Sequence, residues 1–405
     1  PLTYAAQLAR KAAELRERLD ATGLALPELQ LHASPPLAYR NRIRLTLAEV
    51  DGGLRAGYLT SPEPNQQPAF LPITQCPIAA PILWRAAEAL LALINQRAAK
   101  WLERTPFTLD QLELFTTADE SQLQISLFAR TSAKALPTRF TAEFTSLCEA
   151  LHTKIPALAG AGIYLFPPRS NRSRRVEQPR PGPAWGAPGL NYTVVSLEPR
   201  TSNLEPGLTY WVPRGAFFQV NRFLLPELVA LVTANRSGQL DRSRGDSQQG
   251  DDSSEPLNRG TGLAWDLYAG VGLFTRALAP HFARITAVEI AEPAFTALAS
   301  TKLPNRRAFK DTTLDFLRSV VLQRDRPDLI VLDPPRTGAG PEICTLLGRI
   351  AAPTLVYVSC SPETLPADLA TLAASGYAVS ELHLLDLFPQ TTHIETVAIL
   401  TRGPH

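Results

Sequence analysis

Apolar residues recur at three- and four-residue spacing from the start of the chain. Tyr4, Leu8, Ala12, Leu15 and Leu19 form one stripe, with Arg10, Lys11, Arg16 and Arg18 on the other faces. That spacing predicts an amphipathic helix over 4–20. Pro27, Pro35 and Pro36 then interrupt regular structure. From Tyr39 to Leu47 the period falls to two, Ile43, Leu45 and Leu47 alternating with Arg40, Arg42 and Arg44, which predicts a strand with one basic face. Strand-like runs at 112–116, 123–129 and 192–197 mix with helical stretches at 80–100 and 139–151, an α+β pattern. After Thr261 the order becomes regular. Apolar runs at 263–268, 285–290, 328–332 and 354–358 alternate with helix-length stretches at 273–282, 292–301, 312–323, 341–350 and 364–374. Such alternation predicts a parallel, doubly wound α/β sheet.

Two segments break the pattern. Residues 166–190 are rich in Pro, Gly and Arg (Arg169, Arg172, Arg174, Arg175, Arg180), which predicts a mobile basic loop suited to solvent or to phosphate. Residues 237–260 are almost bare of large apolar side chains and rich in Ser, Asp, Gly and Gln, so a disordered insertion is expected there. The chain therefore divides into an N-terminal helical segment (1–37), a central α+β domain (38–202) and a C-terminal α/β domain (203–405). A length of 405 residues agrees with two or three domains.

Composition adds exclusions. With 45% hydrophobic and 19% charged residues the chain is an ordinary globular protein, and 36 prolines imply many irregular connections. A net charge of +2 rules out a histone-like chain but permits a local basic surface. Of 40 basic residues 34 are Arg, a bias that suits bidentate phosphate contact and that a GC-rich genome would also give. Cys76, Cys148, Cys344 and Cys360 are scattered, with no CxxC or Cys/His spacing. No metal site and no disulfide scaffold are expected, and a reducing cytoplasm is the natural compartment. No run of 18 apolar residues and no signal-like N-terminus is found, so no membrane association is expected.

Candidate chemistry gathers at the ends of the predicted C-terminal strands. The first runs into Asp266-Leu267-Tyr268-Ala269-Gly270-Val271-Gly272-Leu273-Phe274, where Gly270 and Gly272 permit a tight turn at a helix N-terminus, a usual nucleotide position. The next carries Glu289, about 20 positions on, suited to ribose hydroxyls. Alone, these leave dinucleotide, ATP and S-adenosylmethionine sites open, and a structural turn as well. Asp333-Pro334-Pro335-Arg336 puts a stiffened carboxylate at another strand end. Many nucleic-acid methyltransferases have an aromatic residue after this motif to hold an amino group; Arg336 points away from such substrates. Cys360 ends a further apolar strand, positioned as a nucleophile, although a lone Cys is more often a small core residue. His393-x-Glu395 opens the final strand.

Phe217-Phe218-Gln219-Val220-Asn221, the glycine turn after Asp266, Asp333-Pro334-Pro335-Arg336, Ser359-Cys360 and His393-x-Glu395, in this order, resemble the RNA 5-methyluridine methyltransferase family. Tyr4-x-x-Gln7-Leu8 and Tyr39-Arg40-Asn41 extend the likeness over nearly the whole chain. The resemblance implies a Rossmann-like domain over 203–405 that methylates uracil C5 in RNA with S-adenosylmethionine, and a central RNA-binding domain. It implies Cys360 as nucleophile and Glu395 as base. Gln219, Tyr268, Gly270, Gly272, Leu273, Glu289, Asp311 and Asp333 would hold the cofactor, and Phe217, Phe218, Arg40, Arg42 and Arg336 the RNA. Asp333 would also lie close to the target base, and helix 4–20 would pack on the catalytic domain.

Phe218-Gln219-Val220-Asn221 favours ribosomal over transfer RNA as substrate, and a monomer is expected. Many members begin with a small β-barrel RNA-binding (TRAM) module and a four-cysteine iron–sulfur site. This chain starts where that module would end, and Gln75-Cys76-Pro77 resembles the fourth cluster cysteine without its three partners; either the lineage lacks the cluster or an upstream segment has been removed, and no cluster is expected in this chain. Three other readings fit less well. A cytosine-5 methyltransferase would carry Cys at position 336. A non-catalytic RNA-binding protein on the same fold could lose Cys360 or Glu395, and both are present. A nicotinamide oxidoreductase explains neither of them.

Overall fold

The computed structural model describes residues 2–60, 67–101, 107–133, 136–168, 179–195, 207–233, 262–323 and 326–403. The expected insertion 237–260 and Arg169, Arg172, Arg174 and Arg175 lie outside these residues. Two compact units emerge, one of residues 1–36, 194–210 and 216–405, the other of 37–193 and 211–215. The N-terminal segment thus belongs to the unit that holds the C-terminal α/β sequence.

Helix α1 (Tyr4–Asp20) starts at Thr3, whose hydroxyl accepts from the Ala6 amide. Its buried residues are Lys11, Leu15 and Leu19, at four-residue spacing. Lys11 is therefore on the core stripe and not on an outer face as the pattern suggested; a buried partner explains this below. Strand β1 (Leu29–His32) then adds in parallel to the edge of the large sheet of this unit, with Leu29 against Leu382.

The central unit is a seven-stranded sheet. Strand β2 (Arg42–Val50) pairs antiparallel with β3 (Gly53–Leu59), which carries the edge strand β4 (Phe70–Pro72). Helix α2 (Pro81–Trp101) precedes β5 (Thr108–Thr116) and β6 (Leu123–Arg130). Helix α3 (Thr138–Lys154) makes the crossover that lets β7 (Leu158–Phe166) lie parallel to β6. Strand β8 (Arg180–Gly186) pairs with β7, so the C-terminal part of the expected basic loop is an edge strand and Arg180 is part of it. One face packs Ile43, Leu45, Leu112, Leu114, Ile125 and Ile163 against the apolar stripes of α2 and α3. Strands β9 (Gly189–Val194) and β10 (Leu208–Pro213) form a separate two-stranded sheet; β9 begins three residues earlier than the apolar run suggested.

Helix α4 (Leu225–Thr233) leads to the large sheet. Its elements are β11 (Leu263–Leu267), α5 (Leu273–Leu278), β12 (Arg284–Glu289), α6 (Glu292–Ser300), β13 (Arg306–Lys310), α7 (Thr313–Val320), β14 (Leu329–Leu332), α8 (Gly340–Ile350), β15 (Thr354–Ser359), α9 (Leu365–Ala374), β16 (Tyr377–Leu385) and β17 (Glu395–Arg402). The strand order is β1-β16-β17-β15-β14-β11-β12-β13. Strands β11 and β14 are buried at every position, as sheet strands covered on both faces must be. The charged β13 closes one edge, where unpaired backbone is best guarded by charge. The sheet is not wholly parallel: β17 runs antiparallel between β15 and β16. That reversal brings the start of β17 to the edge where β11, β12, β14 and β15 end.

Candidate active site

Leu332 of β14 pairs with Tyr357 of β15, and Ser359 of β15 pairs with Thr396 of β17. Asp333, Cys360 and Glu395 therefore occupy neighbouring positions at the carboxyl edge of the parallel strands. Their charges interact. Burial pushes the Cys360 thiol up to about 11; the Glu395 and Asp333 carboxyls push the same way, and the Arg336 guanidinium opposes them. Glu395 is raised well above the carboxylate range, first by burial and then by Asp333, again opposed by Arg336. It is 2% exposed, and its Oε1 has no hydrogen-bond partner among the described residues. Asp333 is pushed up to about 7 by burial and by Asp266. A buried, unpartnered carboxyl is costly in an inert core, and perturbed groups of this kind cluster where protons are moved.

Arg336 Nη2 lies 3.5 Å from His393 Nε2, at the mouth of a cavity of about 460 Å³. Cys360, Arg336, Thr364 and His393 line one side of it, and Lys11 and Arg18 of α1 line another. Arg18 is exposed and has no ion-pair partner among the described residues.

A second group of residues lies along the same sheet edge. Tyr268, half-buried, adopts a left-handed conformation (φ 62°) where β11 enters the glycine turn. At Gly270 (φ 58°) an added Cβ would meet nothing within 4 Å, so a ligand has room against the backbone. At Gly272, whose left-handed backbone (φ 92°) favours glycine, a Cβ would come within 2.9 Å of Leu298 Cδ1 on α6. Leu273 begins α5, and its carbonyl accepts from the Tyr210 hydroxyl at 2.9 Å. Glu289, at the end of β12, accepts from the Gly270 amide at 2.8 Å and the Ala291 amide at 2.6 Å. Each of its oxygens keeps a lone pair for a hydroxyl donor. Asp311 follows Lys310, the register partner of Glu289, and its Oδ1 accepts from the Thr312 amide. Asp266 lies beneath the turn, its Oδ2 held by the Thr275 hydroxyl at 2.5 Å while Oδ1 is buried without a partner. Burial raises it to about 7. The open space at Gly270, the fixed Glu289 and the glycine turn fit a nucleoside-bearing cofactor.

Other predicted residues divide. Phe217 is 64% exposed, whereas Phe218 is 2% exposed and packs on Tyr210 with ring centroids 5.9 Å apart. Phe218 is a core residue, which corrects its assignment to the substrate. Gln219 is buried beside it. Arg40 and Arg42 belong to the central unit. Arg40 is half-buried, its backbone bridged to Ala79. The Arg42 side chain is 12% exposed, stacked over the Phe115 ring at 4.3 Å and paired with Glu113. That internal commitment corrects its reading as an RNA contact. Arg44, half exposed, shares Glu113 and stacks over Phe128. Cys76 is buried, with its sulfur 3.5 Å from the Tyr58 hydroxyl.

The sheet order, the antiparallel β17 and the glycine turn define a Rossmann-like methyltransferase unit joined to an α+β unit. Its fold is that of the Pyrococcus abyssi tRNA (uracil-54, C5)-methyltransferase, solved in complex with S-adenosyl-L-homocysteine (TM-score 0.66, 21% identity, 99% of this chain and 84% of that chain). Residues 255–403 match the family model for tRNA (uracil-5-)-methyltransferase. A 23S rRNA (uracil(1939)-C(5))-methyltransferase RlmD of Chromohalobacter salexigens is 28% identical over 99% of this chain and 73% of its own. An uncharacterized RNA methyltransferase of Thermotoga maritima is 33% identical over 48% of this chain, a match spanning 40% of that relative's length. Residues 255–403 thus match the RNA uracil-5-methyltransferase family, and the likeness to a 23S rRNA uracil-C5 enzyme runs along nearly the whole chain.

Proposed function

We propose that this protein methylates C5 of a uracil in RNA through a transient covalent bond between Cys360 and C6 of the base. The reading rests above all on Cys360 and Glu395 occupying neighbouring positions at one sheet edge, the Glu395 carboxyl helping to raise the Cys360 thiol and Arg336 opposing the shift at both. C5 of uracil is a poor nucleophile. Addition of the Cys360 thiolate to C6 moves the C5–C6 π electrons toward C5 and O4, and makes C5 an enolate carbon. S-adenosylmethionine, when bound, supplies an electrophilic methyl group to that carbon, and Glu289, Asp311, Tyr268 and Gln219 would hold it. Glu395 then takes the C5 proton, the C6–S bond breaks with its electrons returning to sulfur, and C5=C6 is restored. A carboxylate raised by burial is a stronger base than one in water, which suits this role.

Arg336 offsets the nearby negative charge and so eases formation of the thiolate. The target base must leave its stack to reach the cavity; Phe217, 64% exposed, would offer a ring for stacking. Ribosomal RNA is the preferred substrate, supported by the Phe218-Gln219-Val220-Asn221 sequence and by the alignment along 99% of the chain with a 23S rRNA enzyme. The test is incubation with labelled S-adenosylmethionine and either unmodified 23S rRNA or transfer RNA, followed by nuclease digestion and mass spectrometry. Label in 5-methyluridine from 23S rRNA is expected; label only in transfer RNA reverses the substrate choice, and label on any other base refutes the chemistry.

A further inference from the structure

The segment between the last residue of β16 and the first of β17, Asp386–Ile394, brings His393 to the cavity and leads directly into Glu395. It is held from elements far away in sequence. Lys11 of α1 extends Nζ to Asp386 Oδ1 at 2.7 Å and donates to the Phe388 carbonyl at 3.0 Å. One helical turn earlier, Gln7 Nε2 donates to Gln390 Oε1 at 2.9 Å, at a residue held in a left-handed conformation (φ 62°). Asn221 donates to the Leu387 carbonyl at 3.1 Å. The Lys11 and Asp386 side chains are 6% and 0% exposed, and Asp386 Oδ2 has no partner among the described residues.

A buried, incompletely satisfied ion pair is a weak source of stability, since apolar side chains of similar volume often do as well or better. Its geometry offers a different gain. Two charges removed from water tolerate one arrangement, so α1 and the segment are fixed in register at the point where Glu395 must reach a proton. Lys11 also lines the cavity that contains Cys360, so the clamp lies beside the site it sets.

We propose that Lys11 is a positioning residue for the methylation reaction: through Asp386 and Phe388 it holds the segment that places Glu395 against the C5 proton. This rests on the function proposed above. The test compares wild type with Lys11→Met, which strands a buried carboxylate, and with the paired Lys11→Met/Asp386→Leu variant, which removes both charges and so preserves the fold. Three quantities are read in the full chain: hydrogen exchange of residues 386–395, affinity for S-adenosylmethionine, and RNA methylation with trapping of protein–RNA adduct. In the paired variant faster exchange in 386–395, unchanged cofactor affinity, and a kcat lower by about ten- to hundredfold with little change in KM are expected. Methylated adduct accumulates, because proton removal is the misaligned step. Unchanged exchange in the paired variant overturns the clamp, whatever the activity. A lower kcat without adduct, or a wild-type kcat, overturns the catalytic role. A wild-type protein that makes no 5-methyluridine overturns the functional reading instead, and the exchange result still judges the clamp.

Discussion

The Cys360 thiol is the most direct electrostatic test of the site. Burial, Glu395 and Asp333 push it from an ordinary 9.0 to about 11, against the opposing pull of Arg336. At pH 8 roughly one molecule in a thousand then carries the thiolate, against about one in ten for an unperturbed thiol. Alkylation by iodoacetamide, which consumes the thiolate, should run about a hundredfold slower than at a free cysteine. Glu395→Gln removes one of the carboxyls responsible, so the midpoint of the pH–alkylation profile should fall. A drop of one pKa unit corresponds to about 1.4 kcal/mol and roughly tenfold faster alkylation below the midpoint. Arg336→Ala removes the opposing cation, and its midpoint should rise. The assay is mass spectrometry of the Cys360 peptide after timed alkylation between pH 7 and 11. Buried Cys76, Cys148 and Cys344 are internal controls, with Cys148 itself pushed up to about 12. A midpoint that stays fixed in Glu395→Gln, or falls in Arg336→Ala, refutes the electrostatic coupling.

Glu289→Ala should weaken S-adenosylmethionine binding about tenfold to a hundredfold, the worth of charge-assisted hydrogen bonds at roughly 1.5–3 kcal/mol; calorimetry on the folded variant checks it, and unchanged affinity removes Glu289 from the site. Phe218→Ala should cost about 3–5 kcal/mol in denaturant unfolding, as for a fully buried aromatic ring. Phe217→Ala should leave stability unchanged while raising KM for RNA, and the reverse pattern exchanges their roles. Asp266 has its folded-state pKa raised to about 7, so its contribution to stability is full below the unfolded value near 4 and is lost as pH rises through about 7. Asp266→Asn should therefore melt higher than wild type at pH 8 and level with it at pH 4; equal melting temperatures at both pH values contradict this burial cost.

The regular part of the fold was legible because each element carries its own period. Leu15 and Leu19 mark the buried stripe of α1, and the apolar runs of β11, β14 and β15 mark strands covered on both faces. Elements without such a period were missed. Strand β7 (Leu158–Phe166) is diluted by small residues, and β13 is an edge strand of Arg and Lys whose partners, not its composition, make it a strand. The Arg- and Pro-rich composition of β8 suggested a loop, yet pairing with β7 decides its structure.

The placing of Glu289, Asp333, Cys360 and Glu395 at strand ends was legible, because each stands at the end or start of an apolar run. Phe217 and Phe218 were not separable, because the sequence does not say which of two adjacent rings meets Tyr210. Lys11 was invisible as a buried residue for a similar reason: its partner Asp386 stands 375 positions away. A lysine four residues before Leu15 and eight before Leu19 was the one available signal.

The central claim is a Cys360–C6 bond that Glu395 resolves, and Glu395→Gln isolates it. On the proposed mechanism this variant retains the nucleophile and the cofactor residues but lacks the base for the C5 proton. Incubated with target RNA and methyl-labelled S-adenosylmethionine, it should accumulate a labelled protein–RNA species that survives denaturing electrophoresis. Digestion and mass spectrometry should find methylated uridine attached to Cys360, while wild type turns over and Cys360→Ala forms nothing. Turnover by Glu395→Gln without such an adduct, or an adduct attached to any residue other than Cys360, contradicts the account.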